Sequence, residues 1–186
     1  KASSETVVSI VGGPFTYTGS AITPAIVKVT GAGGLNLTPQ ANYINNINAG
    51  TATASYTYSG DANHTGSSGS NTFIIGKASS TTSITIKQPL TYNNCPQSGT
   101  VKVTGVNGVI LTPTPIISYS GIAPTKYGPS TTAPTNAGSY AASATFIGNN
   151  NYNSSSALVT FYINPGGKTA KKIRTFHAGG MVNKIQ

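Results

Sequence analysis

Polar and apolar residues alternate most clearly in two stretches of the chain. From Thr51 to Tyr58, Ala52, Ala54, Tyr56 and Tyr58 take every second position, with threonines and Ser55 between them. At a spacing of 88 residues, Ser139–Phe146 sets Tyr140, Ala142, Ala144 and Phe146 in the same phase. A period of two predicts antiparallel strands with one face buried, because successive side chains on an extended backbone point to opposite sides. Both stretches follow Asn-Ala-Gly, at 48–50 and 136–138, and both run into a polar loop, at 59–64 and 147–152.

The same order of elements surrounds each long strand. In the first copy Thr6–Val11, Phe15–Tyr17, Ile26–Thr30, Leu35–Pro39 and Thr72–Ile75 read as short strands separated by Gly, Pro and Asn. In the second, Pro89-Leu90-Thr91-Tyr92 answers Pro14-Phe15-Thr16-Tyr17, and Val101-Lys102-Val103-Thr104-Gly105 repeats Val27-Lys28-Val29-Thr30-Gly31 letter for letter. Thr160–Ile163 answers Thr72–Ile75. The offset between copies grows from 74 to 88 residues, which places an insertion within 116–134, expected as a long loop or an added hairpin. Gly33-Gly34 and Asn107-Gly108 occupy equivalent positions, and both can supply the positive φ angles of a tight primed hairpin turn. No helical periodicity occurs in 1–164.

The fold class expected from this pattern is all-β: two tandem immunoglobulin-like β-sandwich domains plus a short basic C-terminal tail. Their bounds are 1–77, 78–164 and 165–186. Each domain would hold roughly 75–90 residues, enough for a thin core. The linker, Gly76–Ser80, is short and predicts a semi-rigid, elongated pair.

Three segments together resemble a known family. They are Phe15-Thr16-Tyr17-Thr18-Gly19-Ser20-Ala21, Val29-Thr30-Gly31-Ala32-Gly33-Gly34-Leu35, and Asn48–Ser55 leading into Tyr58-Ser59-Gly60-Asp61-Ala62-Asn63-His64-Thr65-Gly66-Ser67. In that order they look like the bacterial "mostly-β" (MBG-type) immunoglobulin-like repeat of large surface and secreted proteins. The resemblance spans nearly all of 1–77 and, more loosely, 78–164, where Asn93–Ser98 and the insertion depart from it. It implies a spacer or stalk that presents other domains, and it carries no catalytic residue set.

Composition narrows the chemistry. Charged residues are 7% of the chain, against about 25% in an average protein. The net charge of +9 is unevenly placed: Lys168, Lys171, Lys172, Arg174 and Lys184 supply five of the eleven basic residues. Residues 1–164 hold six basic and two acidic side chains, with no basic stripe of the kind that tracks phosphates, so nucleic acid is not expected as a partner. The single cysteine, Cys95, cannot form an internal disulfide and reads as a small, partly buried residue with no basic or histidine neighbour to activate it. No run of eighteen apolar residues predicts a membrane span.

Asp61, His64 and Ser67 are the residue types of a hydrolytic triad, but their equivalents are Asn149, Tyr152 and Ser155. The expected role of Asp61 and Asn149 is turn chemistry, each side chain accepting from the backbone two residues on. With only Glu5 and Asp61 as carboxylates, no metal site, cofactor or acid–base pair is assigned. Lys28 and Lys102 read as solvent-facing strand lysines, not as partners in a Lys–Asn crosslink.

Tyr56, Tyr58, Tyr140 and Phe146 are expected in the core, whereas Tyr119, Tyr127 and Tyr152 fall in or beside loops, where exposed tyrosine suits protein or glycan contacts. In the tail, Lys171, Lys172, Ile173, Arg174, Phe176, Met181 and Val182 are candidate contact residues, the first five in a stretch, Lys168–His177, that reads as a short helix ended by Gly179. Tyr127 and Tyr152 complete the partner-binding set. The functional expectation is a non-enzymatic structural or adhesive subunit, or a spacer, of an extracellular surface or fibrous assembly. It would join a protein scaffold or sister subunits through the tail, with surface glycans as further ligands, as part of an oligomer or larger assembly. The alternative is a surface or decoration protein of a bacterial virion whose tail docks on the particle.

Overall fold

The computed structural model describes residues 1–167, and these are almost entirely β. Residues before Ala78 form seven strands: β1 (Ser4–Ile10), β2 (Phe15–Thr16), β3 (Ala25–Gly31), β4 (Leu35–Leu37), β5 (Asn42–Ile44), β6 (Gly50–Tyr58) and β7 (Ser67–Gly76). They make two sheets, ordered β1-β3-β4 and β2-β7-β6-β5. Residues after Ala78 form β8 (Thr81–Thr85), β9 (Leu90–Thr91), β10 (Thr100–Thr104), β11 (Ser118–Gly121), β12 (Gly138–Phe146) and β13 (Ser155–Asn164). Their sheets, β8-β10 and β9-β13-β12-β11, repeat the first pairing, with a Thr104–Ile110 bridge standing where β4 would be. The duplication seen in the letters is therefore a duplication of hydrogen-bonded neighbours.

The alternating strands bury the faces expected of them. Ala52, Ala54 and Tyr58 of β6 face inward with Tyr56 half-buried, and Tyr140, Ala142, Ala144 and Phe146 of β12 are all buried. Opposite them lie Val8, Val27 and Val29 in the first half, and Ile84 and Val103 in the second. Aromatic rings fill the space that the small alanines leave. Phe15 meets Phe73 edge-on at 5.4 Å, and Tyr140 stacks on Phe161 at 5.5 Å. Such pairs contribute about 0.5–1.5 kcal/mol beyond the area they bury.

Hydroxyl clusters fasten the two sheets of each half along one side. Ser67 Oγ lies 2.7 Å from Ser4 Oγ and 2.8 Å from Thr6 Oγ1, and Ser155 Oγ holds the same distances to Ser80 and Thr82. Thr6 and Thr82 are buried, so their hydroxyls need these partners, because an unpaired buried hydroxyl is costly.

Several expectations change on contact with the structure. β7 begins at Ser67, well before the expected Thr72, although Ser67–Asn71 carries no large apolar side chain. Backbone pairing along the whole of β6 holds it there, from Tyr58–Ser67 to Gly50–Ile75. The Gly33-Gly34 reversal is a three-residue 3-10 turn over Ala32–Gly34, not a two-residue primed turn. Its positive φ angles are as expected, 67° at Gly33 and 85° at Gly34, and they recur at Asn107 (55°) and Gly108 (74°). The insertion forms an added hairpin in which Tyr119 and Ser130 exchange both backbone hydrogen bonds, at 2.7 and 2.9 Å. Cys95 is exposed, not partly buried as expected, and lies in the largely exposed 93–98 loop where the repeat is broken. Lys28 and Lys102 are exposed on their strands.

Candidate functional site: the joint between the halves

A polar loop that reaches the first half spans Gly148–Asn153. Asn149 Oδ1 accepts from the amides of Asn151 and Tyr152, both at 2.9 Å, and its own amide donates to Tyr152 O at 3.0 Å. This side-chain turn fixes the direction of the next two side chains. Asn151 is aimed at the first half, accepting from the Ala49 amide at 3.0 Å and donating to Asn48 Oδ1 at 3.0 Å. Tyr152 sends its ring beneath Gly105, where it meets Tyr17 of the first half edge-on at 5.3 Å. Tyr17 thereby joins a cluster otherwise built from the second half, with Ala78, Val103, Leu111 and Phe146.

The linker is stitched into the same place. The Ala78 amide donates to Asn151 O, and Ala78 O accepts from the Asn153 amide, both at 2.9 Å. Ala78 is buried, so this linker is an integral part of the packing and not a tether. Asn48-Ala49, Tyr17, Ala78 and Asn151-Tyr152 together form a joint whose parts come from four separate stretches of sequence.

The equivalent loop of the first half carries its contacts, among the described residues, within that half. Asp61 Oδ1 accepts from the amides of Asn63 and His64 at 2.7 Å, and Asp61 Oδ2 accepts from the Tyr58 hydroxyl at 2.8 Å. His64 Nδ1 sits 3.0 Å from the Asp61 carboxylate, and its Nε2 sits 2.9 Å from Ala32 O. Both ring nitrogens face acceptors, and only the imidazolium can donate to both. The His64 pKa is accordingly raised, chiefly by the Ala32 carbonyl and then by Asp61. The Tyr58 hydroxyl, with the Asn63 amide and His64 behind it, holds the Asp61 carboxyl well below the ordinary carboxylate range. The same hydrogen bond raises the Tyr58 pKa. Lys1 Nζ donates to Asp61 O at 2.6 Å, and Ala2 bridges His64 as Ala78 bridges Tyr152.

This arrangement performs turn chemistry. Ser67 is committed to Ser4 and Thr6, away from the His64 nitrogens, so Asp61, His64 and Ser67 are not assembled as a triad. Among the described residues no three His, Cys, Asp or Glu side chains come together in a way that could hold a metal. No helix there is long and apolar enough to cross a membrane.

Comparison with protein-family models, curated proteins and solved structures returns no match. The likeness to the mostly-β repeat therefore rests on the residues quoted for it.

Of the residues singled out from sequence, Tyr152 is 5% exposed and Tyr119 3% exposed. Their expected exposure is corrected: Tyr152 is packed among Ala78, Val103, Leu111 and Phe146 with Tyr17 of the first half against its ring, and Tyr119 lies in the core against Phe161. Tyr127 is half-buried, packed edge-on against Tyr140 at 5.7 Å and donating its hydroxyl to Thr132 O at 2.7 Å. Lys171, Lys172, Ile173, Arg174, Phe176, Met181 and Val182 lie outside the described residues, as does the expected tail helix. Asn48, Ala49, Asn151 and Tyr17 were not anticipated as contact residues. One signal pointed to them: Lys-Ala-Ser-Ser occurs at 1–4 and again at 77–80, marking the linker as the start of a repeated unit.

Proposed function

We propose that this chain is a non-enzymatic spacer or adhesive subunit of an extracellular surface or fibrous assembly. Its two tandem immunoglobulin-like domains, 1–77 and 78–164, act as one stiff element. The observation that carries this reading is the joint. A flexible connection would leave the linker solvated, whereas here Ala78 is buried and Asn151 and Tyr152 are seated on the first half. Two hydrogen bonds at about 1 kcal/mol each and one aromatic pair are modest terms. They act within one chain, where the linker already sets a high effective concentration, so they suffice to fix an orientation. A spacer needs that property and no chemistry.

The test is a distance distribution. Spin labels at Ser68→Cys and Ser143→Cys, both exposed positions, would be placed in a Cys95→Ser background. The expected distribution is a single narrow peak that broadens when Asn151→Ala and Tyr152→Ala are added. A parent protein already as broad as that variant would sink the stiff-spacer reading.

A further inference from the structure

The two halves differ in how they treat one sheet edge. In the second half β11 is the outermost strand of its sheet, and the inserted segment folds back along it. Tyr119 exchanges both main-chain hydrogen bonds with Ser130, and the Gly121 amide donates to Tyr127 O at 2.8 Å. In the first half β5 holds the same place. Tyr43 stands opposite Ala54 of β6 as Tyr119 stands opposite Ala142 of β12. Each tyrosine hydroxyl also accepts from an equivalent amide, Ala25 at 2.8 Å and Gly99 at 2.9 Å. The Tyr43 N–H and C=O therefore point outward from the sheet, as those of Tyr119 do. The first half lacks the insertion, and among the described residues nothing bonds them.

A cavity adjoins this open edge. In the second half Ile117, two residues before Tyr119, is 7% exposed and packs at Gly99, where an added Cβ would lie 3.5 Å from its Cδ1. The first half has the shorter Ala41 two residues before Tyr43, beside an open cavity of about 390 Å³ lined by Ala25, Val27, Pro39, Ala41 and Tyr43. No charged side chain lines it, and the segment that covers β11, residues 127–134, is likewise uncharged. Apart from its length of three residues, β5 has neither the lysine nor the proline that keeps an edge from pairing, and its Ile44 is 61% exposed.

We infer that β5 is a docking strand for an extended, uncharged segment of a partner protein, which adds to the sheet antiparallel to β5 and places an aliphatic side chain in the cavity. The residue opposite Tyr43 exchanges both main-chain bonds with it, as Ser130 does with Tyr119. Cross-strand partners share a face, so the side chain of that residue points the way the Tyr43 side chain does, toward Val27 and Ala41. Main-chain bonds supply the affinity and the cavity supplies the selectivity. An anchor bearing a charge is rejected, because the uncharged lining would leave it unpaired. With two hydrogen bonds and one anchor the contact is weak, with a dissociation constant on the order of 0.1–1 mM, and gains strength when many copies act together. This inference gives the adhesive subunit proposed above its contact surface, and it uses the first half alone, independently of the joint.

The test uses the full chain, with the capped peptide Ser-Thr-Ile-Thr-Ser as the probe. Hydrogen exchange in the free chain should show a fast Tyr43 amide and a protected Tyr119 amide. Titration with the peptide, followed by amide NMR, should shift the Tyr43 resonance and slow its exchange. Replacing the isoleucine of the peptide by serine, or methylating its amide nitrogen, should each weaken binding about tenfold. Ala41→Ile, which installs the residue of the second half, should leave the chain folded and erase the preference for isoleucine. No shift at Tyr43 at millimolar peptide overturns the proposal, as does equal binding of the isoleucine and serine peptides to the parent. A Tyr43 amide already protected without peptide overturns it too. Protection that grows with protein concentration would assign the edge to a second copy, and protection independent of concentration to the segment 168–186 of the same chain. In every case the label distances decide the stiff-spacer reading separately.

Discussion

Gly105→Ala tests the joint by adding one methyl group. The backbone at Gly105 is extended, with φ −113°, so an alanine meets no conformational penalty there. The cost comes from packing alone. A Cβ at this position would overlap Cε1 and Cζ of Tyr152 and lie 2.6 Å from its hydroxyl oxygen. Favourable carbon contacts begin near 3.5 Å, so the ring must move by about 1 Å. It has little room to do so. Tyr17 blocks one side, and the Asn149 turn and the Ala78 bridge hold the Tyr152 backbone. Overpacking of this kind costs about 1–3 kcal/mol. With a urea dependence of about 1–2 kcal/mol per molar, a 2 kcal/mol loss lowers the midpoint by roughly 1–2 M at unchanged slope. The decisive comparison is with a Tyr152→Ala background. There the added methyl meets open space, and restricting the unfolded chain should make the change neutral or stabilising by up to about 1 kcal/mol. A loss under about 0.5 kcal/mol in the parent, or an equal loss in both backgrounds, would refute the packing argument.

Two further expectations follow from the same geometry. His64 has a folded pKa raised above its ordinary value of 6.5, so its contribution is complete below pH 6.5 and is lost as the pH rises through the folded value. Asp61 is depressed below 3.8, so its contribution is complete above that and is lost only as the pH falls through the lower folded value. Urea midpoints should therefore hold level between about pH 4 and 6.5 and fall on the alkaline side, and His64→Gln should flatten that alkaline limb. In the core, Ile163→Ala should cost about 2–5 kcal/mol because Ile163 is fully buried, whereas Ile74→Ala, at a position 71% exposed, should stay within about 0.5 kcal/mol. Chemical denaturation of the two variants checks both.

How much of this was legible in the letters depends on where the determining contacts lie. The alternation in β6 and β12 is local, so the buried faces of Ala52, Ala54, Tyr140 and Ala142 could be read directly. Turn chemistry at Asp61 and Asn149 is local too, since each side chain bonds amides two and three residues on. The first half of β7 was not legible, because Ser67–Asn71 owes its conformation to pairing with β6 and to hydroxyls from β1. Tyr152 was misread as exposed for a related reason: among its sequence neighbours, Asn149–Asn151 and Asn153, nothing tells that Tyr17, 135 positions earlier, will cover it.

The hydroxyl seam between β1 and β7 also determines how the chain would carry a load. The chain comes into the first half beside Ser67, at one end of β7, and leaves it beyond Gly76 at the other. The ten residues of β7 span about 33 Å between those points. β2 pairs with β7 in parallel, and Tyr17 is bonded to the last residue of β7. Between those points the chain is held to β7 by the Ser4, Thr6 and Asn71 side-chain hydrogen bonds from β1 and by the two-residue parallel pairing with β2, so a pull along the chain acts along these contacts. The same route continues through Ala78 into Ser80, Ser155 and β13, so two halves in series present two seams to the same pull, and neither end is the obvious place to tear.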